Sequence, residues 1–190
     1  MPMALWLAIA ALGPCDQPPA RSVEIVCAYV VALEALDHDR MAAFWLPTTT
    51  STSVSGETTL IDRDGKRAIR AFERAVNTRW TSRIESVAGD SITVTLTEAN
   101  DFYDALGVGL RTQIESYVVH DGHIARTITH SYAHAGGDYL TAYQAFKRWV
   151  LTTDAVRDTT LVNGSVLRFT GESAEHMKPW LYAWRALRQR

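Results

Sequence analysis

Residues 111–132 read RTQIESYVVHDGHIARTITHSY and carry the clearest fold signal in the chain. Two segments of alternating side-chain character flank Asp121-Gly122, a dipeptide typical of a two-residue β-hairpin turn. Such a turn pairs Val119 with Ile124, and side chains of paired residues point to the same side of the sheet. The predicted inward face therefore mixes apolar and polar side chains: Arg111, Gln113, Glu115, Tyr117, Val119, Ile124, Arg126, Ile128, His130 and Tyr132. A one-residue bulge would exchange the two faces beyond it.

A second hairpin is predicted just before this one. Residues 80–98 contain Gly89-Asp90 at their centre, and the second arm alternates threonines with Ile92, Val94, Leu96 and Glu98. One face of this strand is therefore apolar and ends in a carboxylate. Residues 101–110 are predicted to form a loop, and Asn163-Gly164 marks a small hairpin near the end of the chain.

Helical patterns precede and follow the predicted strands. Residues 22–36 form a mostly apolar helix, and a short helix at 40–46 is capped by Asp39 and ended by Pro47. A third helix opens at Asp64 or Gly65, with its charged side chains expected to face solvent: Arg67, Arg70, Glu73 and Arg74. Residues 48–59, rich in Ser and Thr, are predicted to form a flap between these helices. Residues 138–151 form a helix capped by Asp138, and the last helix packs through a stripe of Trp180, Leu181, Trp184 and Leu187.

The composition indicates a globular protein with a sizeable core. The chain has 190 residues, 47% of them hydrophobic, a formal net charge of -2 and a pI of about 6.3. No block of Lys or Arg stands out, so nucleic-acid binding lacks its usual electrostatic footprint. Two cysteines without a histidine at ligand spacing predict no metal site, and Cys27 is expected to pack as a small hydrophobe.

Residues 1–20 have features of an export segment followed by a linker. The apolar run at 3–12 is shorter than the roughly 20 residues that a membrane span needs. It resembles the apolar region of a signal peptide, although the usual positive start is missing. Cys15 after this run suggests processing as a bacterial lipoprotein, for which Pro14 is a poor fit. The sequence thus predicts an exported protein (periplasmic, secreted or lipid-anchored), with a cytoplasmic protein as the alternative.

Four stretches together resemble the nuclear transport factor 2-like superfamily, which includes SnoaL-like polyketide cyclases and ketosteroid isomerases. They are AYVVALEALDHDRMAAFWLP, DGKRAIRAFERAV, TVTLTEANDFY and ESYVVHDGHIARTI, within residues 22–132. The resemblance implies an α+β cone, in which a curved antiparallel sheet wraps around N-terminal helices and leaves a pocket. Residues 21–135 would form this SnoaL-like domain, and residues 136–190 would be a C-terminal helical and hairpin extension packed on it.

The predicted pocket contains candidates for acid–base chemistry. Glu115 and His130 are the catalytic candidates, and Glu98 is a second carboxylate whose proton affinity burial would raise. Arg126 would hold an anionic or carbonyl oxygen, and Tyr117 and Tyr103 would donate hydrogen bonds to it. Trp45 and Phe102 would supply apolar walls. The alternative is that Glu115 and Arg126 form a structural ion pair, which requires no catalysis.

These observations favour a SnoaL-like protein that binds a small, partly apolar molecule without a cofactor. One alternative is a cofactor-independent lyase, isomerase or cyclase that uses a pocket carboxylate as general base. The known catalysts of this superfamily use pocket aspartates, and none lies on the predicted inward strand face, so turnover stays open. Another alternative is a protein-interaction module that forms a homodimer through the sheet face or through Trp180, Trp184 and Leu187.

Overall fold

A computed structural model describes residues 21–189 and shows a six-stranded sheet with helices packed against it. The helices are α1 (Arg21–Glu34), α2 (His38–Ala43), α3 (Arg63–Ala75), α4 (Asp101–Leu106), α5 (Tyr139–Val150) and α6 (Gly171–Arg188). The strands are β1 (Trp45–Thr52), β2 (Thr58–Asp62), β3 (Arg79–Ala88), β4 (Ser91–Ala99), β5 (Arg111–His120) and β6 (His123–His134). A two-stranded hairpin, β7 (Val162–Asn163) and β8 (Val166–Leu167), stands apart from the sheet. The predicted α+β class is confirmed.

The sheet has the order β2-β1-β6-β5-β4-β3 and is mixed rather than wholly antiparallel. Strands β3 to β6 form the two predicted hairpins, joined by antiparallel pairing of β4 with β5. Strand β1 instead runs parallel to β6, with Trp45 beside Ile124 and Thr50 beside Arg126. The predicted flap at residues 48–59 is therefore wrong, because most of its Ser and Thr residues lie in the β1–β2 hairpin.

Two hydrophobic clusters hold the fold together. The first packs α1 against the sheet and contains residues with no exposed surface, such as Val26, Ile92 and Ile124. The second joins α4, α5 and α6 around Phe102, Phe146 and other buried side chains. This second cluster combines residues from both sides of position 135. The C-terminal helices α5 and α6 therefore bury the apolar face of α4 and form one core with it. The domain boundary itself stays a prediction.

Polar caps set the helix starts, in places other than expected. Asp37 accepts the Arg40 backbone N–H, so α2 begins at His38 rather than Arg40. Asp62 caps α3, and α4 occupies the predicted loop because Asn100 accepts the Tyr103 backbone N–H. The predicted Asp138 cap of α5 is confirmed.

Within residues 21–189, no helix is both long and apolar enough to cross a membrane. The predictions of a signal segment, a linker and a lipidated Cys15 lie outside the described residues. Cys27 is buried in α1, as expected.

Candidate functional site

The register of the β5–β6 hairpin differs from the prediction because β6 contains two irregularities. The pairing of Val119 with Ile124 beside the turn is confirmed. Beyond it, the register skips Ala125, so that Tyr117 pairs with Thr127, and it later skips His130. Each extra residue turns the following side chains of β6 to the other face.

This shift moves two predicted site residues to the opposite face of the sheet. Arg126 pairs with Val118, is exposed, and donates a hydrogen bond to Thr52 Oγ1 at 3.2 Å. The Nε2 atom of His130 lies 2.7 Å from Ser116 Oγ, on the side facing away from Glu115. The predicted Glu115–Arg126 pair and the joint role of Glu115 and His130 are therefore wrong.

Two adjacent cavities lie between the helices and the inner face of the sheet. The helix cavity has a volume of about 110 Å³ and is lined by His38, Met41, Ala42, Trp45, Lys66, Arg67 and Arg70. The sheet cavity has a volume of about 120 Å³ and is lined by Tyr29, Trp45, Thr49, Ser51, Ile61, Lys66, Ile69, Arg70, Glu115, Tyr117 and Thr127. Three residues line both cavities: Trp45, Lys66 and Arg70.

The floor of the sheet cavity holds a half-buried carboxyl group, that of Glu115. The Tyr117 hydroxyl donates a hydrogen bond to Glu115 Oε2 at 2.8 Å. Burial raises the pKa of Glu115, while this hydrogen bond and the Arg70 charge oppose the rise. Burial also raises the pKa of Tyr29 to about 12, so its hydroxyl keeps its proton near neutral pH. The floor therefore offers a carboxyl group and phenol hydroxyls whose protons are held in place.

Aromatic rings fix the shape of this floor. The Tyr29 ring stands 5.3 Å from Trp45 and 5.2 Å from Tyr117, measured between ring centroids. The Tyr29–Trp45 contact is nearly perpendicular, a favourable arrangement for aromatic pairs. Because all three residues are buried, the floor is held rigidly by α1, β1 and β5.

Arg70 enters the cavities from α3 with its charge balanced. Its Nη1 atom lies 2.6 Å from both carboxylate oxygens of Glu73, and its Nη2 atom reaches the Tyr29 hydroxyl at 3.4 Å. The Glu73 residue is only 8% exposed. The prediction that this face of α3 is solvated is therefore wrong for Arg70 and Glu73, whereas Arg67 and Arg74 are exposed as expected.

Lys66 lies where the two cavities meet. Its Nζ atom lies 3.4 Å from the centroid of the Trp45 ring, within the range of a cation–π contact. The same ammonium donates a hydrogen bond to Thr49 Oγ1. A positive charge is thus positioned beside the largest aromatic surface of the site.

Glu98 belongs to a separate buried cluster. It accepts hydrogen bonds from Asn100 at 2.8 Å, from the Tyr103 hydroxyl at 3.2 Å and from Arg111 at 3.2 Å. Burial raises the pKa of Glu98, and the Arg111 charge opposes the rise. Neither Glu98 nor Tyr103 lines the helix cavity or the sheet cavity.

The structure thus brings together three of the eight predicted site residues: Trp45, Glu115 and Tyr117. Glu98 and Tyr103 form their own cluster, and Phe102 packs in the second hydrophobic cluster. The lining residues that were not predicted to belong to the site include Tyr29, His38, Lys66 and Arg70. Tyr29 sits in an apolar helix sequence, and Arg70 follows a charge pattern that is also typical of a solvated helix, so neither gave a distinguishing signal.

Across residues 21–189, no group of three or more His, Cys, Asp or Glu side chains could hold a metal ion.

No protein-family model and no protein of curated function matches the sequence. Solved structures with a similar fold include one from Sinorhizobium meliloti, provisionally described as a polyketide cyclase. It is 21% identical to this chain, and the match covers 62% of this chain and 99% of that chain with a TM-score of 0.47. Another, from Xanthomonas campestris and described in the same way, is 20% identical over 57% and 88% of the chains, with a TM-score of 0.46. A nuclear transport factor 2-like protein of unknown function from Cytophaga hutchinsonii is 7% identical over 60% and 91%, with a TM-score of 0.45. Nothing about the superfamily, ligand or reaction of this chain follows from these likenesses.

Proposed function

We propose that this protein binds a small, partly apolar molecule in the helix cavity and the sheet cavity together. The observation that carries the proposal is that both cavities meet at Trp45, Lys66 and Arg70. An indole face, an ammonium and a guanidinium converge there. Small-molecule sites are typically concave and largely apolar, with a few placed polar groups, and this site has that composition.

The size of the cavities limits the ligand. Each cavity measures about 110 to 120 Å³, below the 300 Å³ or more of a typical drug-sized pocket. A one-ring or two-ring compound that spans both cavities is the size we expect. Its flat part would lie against Trp45, and its oxygen atoms would accept hydrogen bonds from the hydroxyl groups of the floor.

The test uses two alanines that follow each other in α2. Ala42 lines the helix cavity, whereas Ala43 is exposed. Ala42→Phe fills the cavity, and Ala43→Phe adds the same side chain outside it. A panel of one-ring and two-ring aromatic fragments is screened against both variants and the wild type by ligand-observed NMR, with far-UV circular dichroism as the folding check.

We expect fragments that bind the wild type to lose binding to Ala42→Phe and to keep it with Ala43→Phe. Binding that survives in both variants would place the site elsewhere. The absence of any binding fragment at millimolar concentration would also contradict the proposal.

Acid–base catalysis is the second candidate function, and one observation favours it. Glu115 borders the sheet cavity, its pKa is raised by burial, and Tyr117 holds its carboxyl group at 2.8 Å. A carboxyl group whose pKa lies nearer to neutrality is better suited to exchange a proton with a bound carbonyl compound. Tyr117 would orient this group through the hydrogen bond that its hydroxyl donates to Glu115.

Hydrogen–deuterium exchange tests this second function. A bound ketone fragment incubated with the protein in D₂O is expected to lose its α-protons faster than in buffer, as followed by NMR. Glu115→Gln should remove the acceleration and leave fragment affinity within about threefold, because the amide keeps the shape of the carboxyl group. If the variant exchanges as fast as the wild type, Glu115 is not the base.

The interaction-module alternative has less support. Trp180 and Trp184 are half-buried, and their rings pack against Trp149 at 6.0 and 5.3 Å between centroids. This packing accounts for the Trp pair within the chain. Leu187 and Tyr182 are exposed on the same helix, so a homodimer stays a prediction, as does export.

A further inference from the structure

The imidazole ring of His38 locates a polar group of the ligand. His38 is the first residue of α2, and it lines the helix cavity but not the sheet cavity. Its Nε2 atom is buried and has no hydrogen-bond partner within residues 21–189. A buried polar atom without a partner is unfavourable, so a ligand atom that bonds to this nitrogen would gain binding free energy there.

The His38 ring is neutral near pH 7. Burial lowers its pKa below the ordinary value of 6.5, and the charges of Arg74 and Arg70 lower it further, whereas Glu73 and Asp39 oppose the shift. A neutral imidazole carries one proton, on either Nδ1 or Nε2. The missing partner of Nε2 is therefore an acceptor if this nitrogen carries the proton, and a donor if it does not.

The side chains around the helix cavity distinguish these two cases. Within residues 21–189, the other side chains that line it are those of Met41, Ala42, Trp45, Lys66, Arg67 and Arg70. None of them contains an oxygen atom, the Met41 thioether is a weak acceptor, and the indole, ammonium and guanidinium groups are donors only. Three of these donor side chains come from α3, yet none of them bonds to Nε2. A proton on Nε2 accounts for this, because two donors do not pair with each other.

We infer that the ligand presents a carbonyl oxygen to His38 Nε2 in the helix cavity. The ring of the ligand lies against Trp45, which borders both cavities. His38 thereby determines specificity: it favours a ring compound with an oxygen acceptor over a hydrocarbon of the same shape, because only the oxygen gives Nε2 a partner. This inference rests on the proposed function, because it assigns the polar group of the ligand for the same site.

A matched pair of one-ring probes tests the inference. Acetophenone and α-methylstyrene have nearly the same shape and differ at one position, where the first has a carbonyl oxygen and the second a methylene group. Protein-observed NMR measures the affinity of both probes for the wild type, His38→Leu and His38→Gln, with far-UV circular dichroism as the folding check. Leu removes the hydrogen bond and keeps the position apolar, whereas the Gln amide again supplies an N–H donor.

His120→Leu is the control for the loss of a histidine. His120 is exposed beside the β5–β6 turn and lines neither cavity, so its replacement should leave the affinity of both probes within about twofold of the wild type.

We expect acetophenone to bind His38→Leu about fivefold more weakly than the wild type, because a hydrogen bond between neutral groups contributes modestly to binding. α-Methylstyrene should bind the two proteins within about twofold, and His38→Gln should restore acetophenone affinity to within about twofold of the wild type. Long-range ¹H–¹⁵N spectra of the wild type with acetophenone bound should show the ring proton of His38 on Nε2.

The acceptor inference would be overturned if His38→Leu weakened both probes equally or weakened neither. A bound state in which the His38 proton lies on Nδ1 would also overturn it. In each of these cases, loss of both probes in Ala42→Phe would leave the proposed function standing. If neither probe binds the wild type at millimolar concentration, the acceptor inference fails, and the wider fragment panel decides the proposed function separately.

Discussion

Replacing Arg70 by Met tests whether the ion pair beneath the cavities is part of the core. Arg70 holds both oxygens of Glu73 at 2.6 Å, and Glu73 is 8% exposed. The substitution keeps a long apolar stem but leaves the Glu73 carboxylate buried without its cation. Breaking a buried pair in this way costs about 3 kcal/mol, toward the lower end of the usual range because the Arg70 side chain is 21% exposed.

Arg67→Met is the matched control on the same helix. The Arg67 side chain is 72% exposed and lies 3.8 Å from Asp64, so its loss should cost less than about 1 kcal/mol. The double variant Arg70→Met/Glu73→Leu removes both buried charges and should recover to within about 1 kcal/mol of the wild type.

Urea unfolding followed by far-UV circular dichroism at pH 7 measures all four proteins. For a chain of this length, a loss of about 3 kcal/mol also lowers the melting temperature by roughly 6 to 12 °C. The account of a buried pair would be refuted if Arg70→Met were no more destabilising than Arg67→Met. It would also be refuted if Glu73→Leu added its own loss to that of Arg70→Met instead of reversing it.

Three further changes test other parts of the structure. Burial raises the pKa of Glu115 above 4.5, so its contribution to the free energy of unfolding is greatest below pH 4.5 and is lost as the pH rises through the raised pKa. Glu115→Gln should therefore flatten the pH dependence of stability measured by urea unfolding from pH 4 to 8. Parallel stability curves for the variant and the wild type would contradict this prediction. The Asp158 carboxylate raises the pKa of His176 above 6.5, so the pair stabilises α6 below pH 6.5 and does so less as the pH rises through the raised pKa. An NMR titration of the His176 ring in Asp158→Asn should give a lower pKa than in the wild type, and an unchanged pKa would contradict the pairing. Phe146→Ala, at a position with no exposed surface, should cost about 3 to 5 kcal/mol in urea unfolding, and a loss under about 1 kcal/mol would show that the second cluster is not tightly packed.

Local signals in the sequence predicted the parts of the fold that local interactions determine. Asp121-Gly122 gives the β5–β6 turn, and the alternation of Ile92, Val94 and Leu96 gives the buried face of β4, where all three are at most 2% exposed. The Asp138 side chain caps α5 because its oxygens accept the first free N–H groups of that helix. These features require no knowledge of distant residues.

Non-local pairing determines what the sequence did not reveal. The skipped positions at Ala125 and His130 depend on how β6 fits between β5 on one side and β1 on the other. A bulge leaves little trace in the alternation of a Thr-rich strand, so Arg126 and His130 were assigned to the wrong face. The same limit applies to β1, whose Ser and Thr residues are typical of a loop until a parallel neighbour pairs with them.

Charges on α3 illustrate a second limit. A run of Arg and Glu at helical spacing is compatible with a solvated face or with a pair buried between elements. The contact between Arg70 Nη2 and the Tyr29 hydroxyl, at 3.4 Å, distinguishes the buried pair from the solvated face, and it depends on the position of α1. The site was therefore predicted on its strand side, at Glu115 and Tyr117, and missed on its helix side.

Methionine methyl NMR tests the ligand site most directly. The chain has four methionines; Met41 lines the helix cavity, and Met177 is fully buried in the second hydrophobic cluster. The methyl groups are labelled with ¹³C and assigned by Met→Leu substitution, and the tightest fragment of the panel is titrated into the protein. A ligand bound between α2, α3 and β1 should shift the Met41 methyl signal until the site is saturated. The Met177 methyl signal should keep its chemical shift. A Met41 signal that stays unmoved while the ligand binds would contradict the site assigned to these cavities.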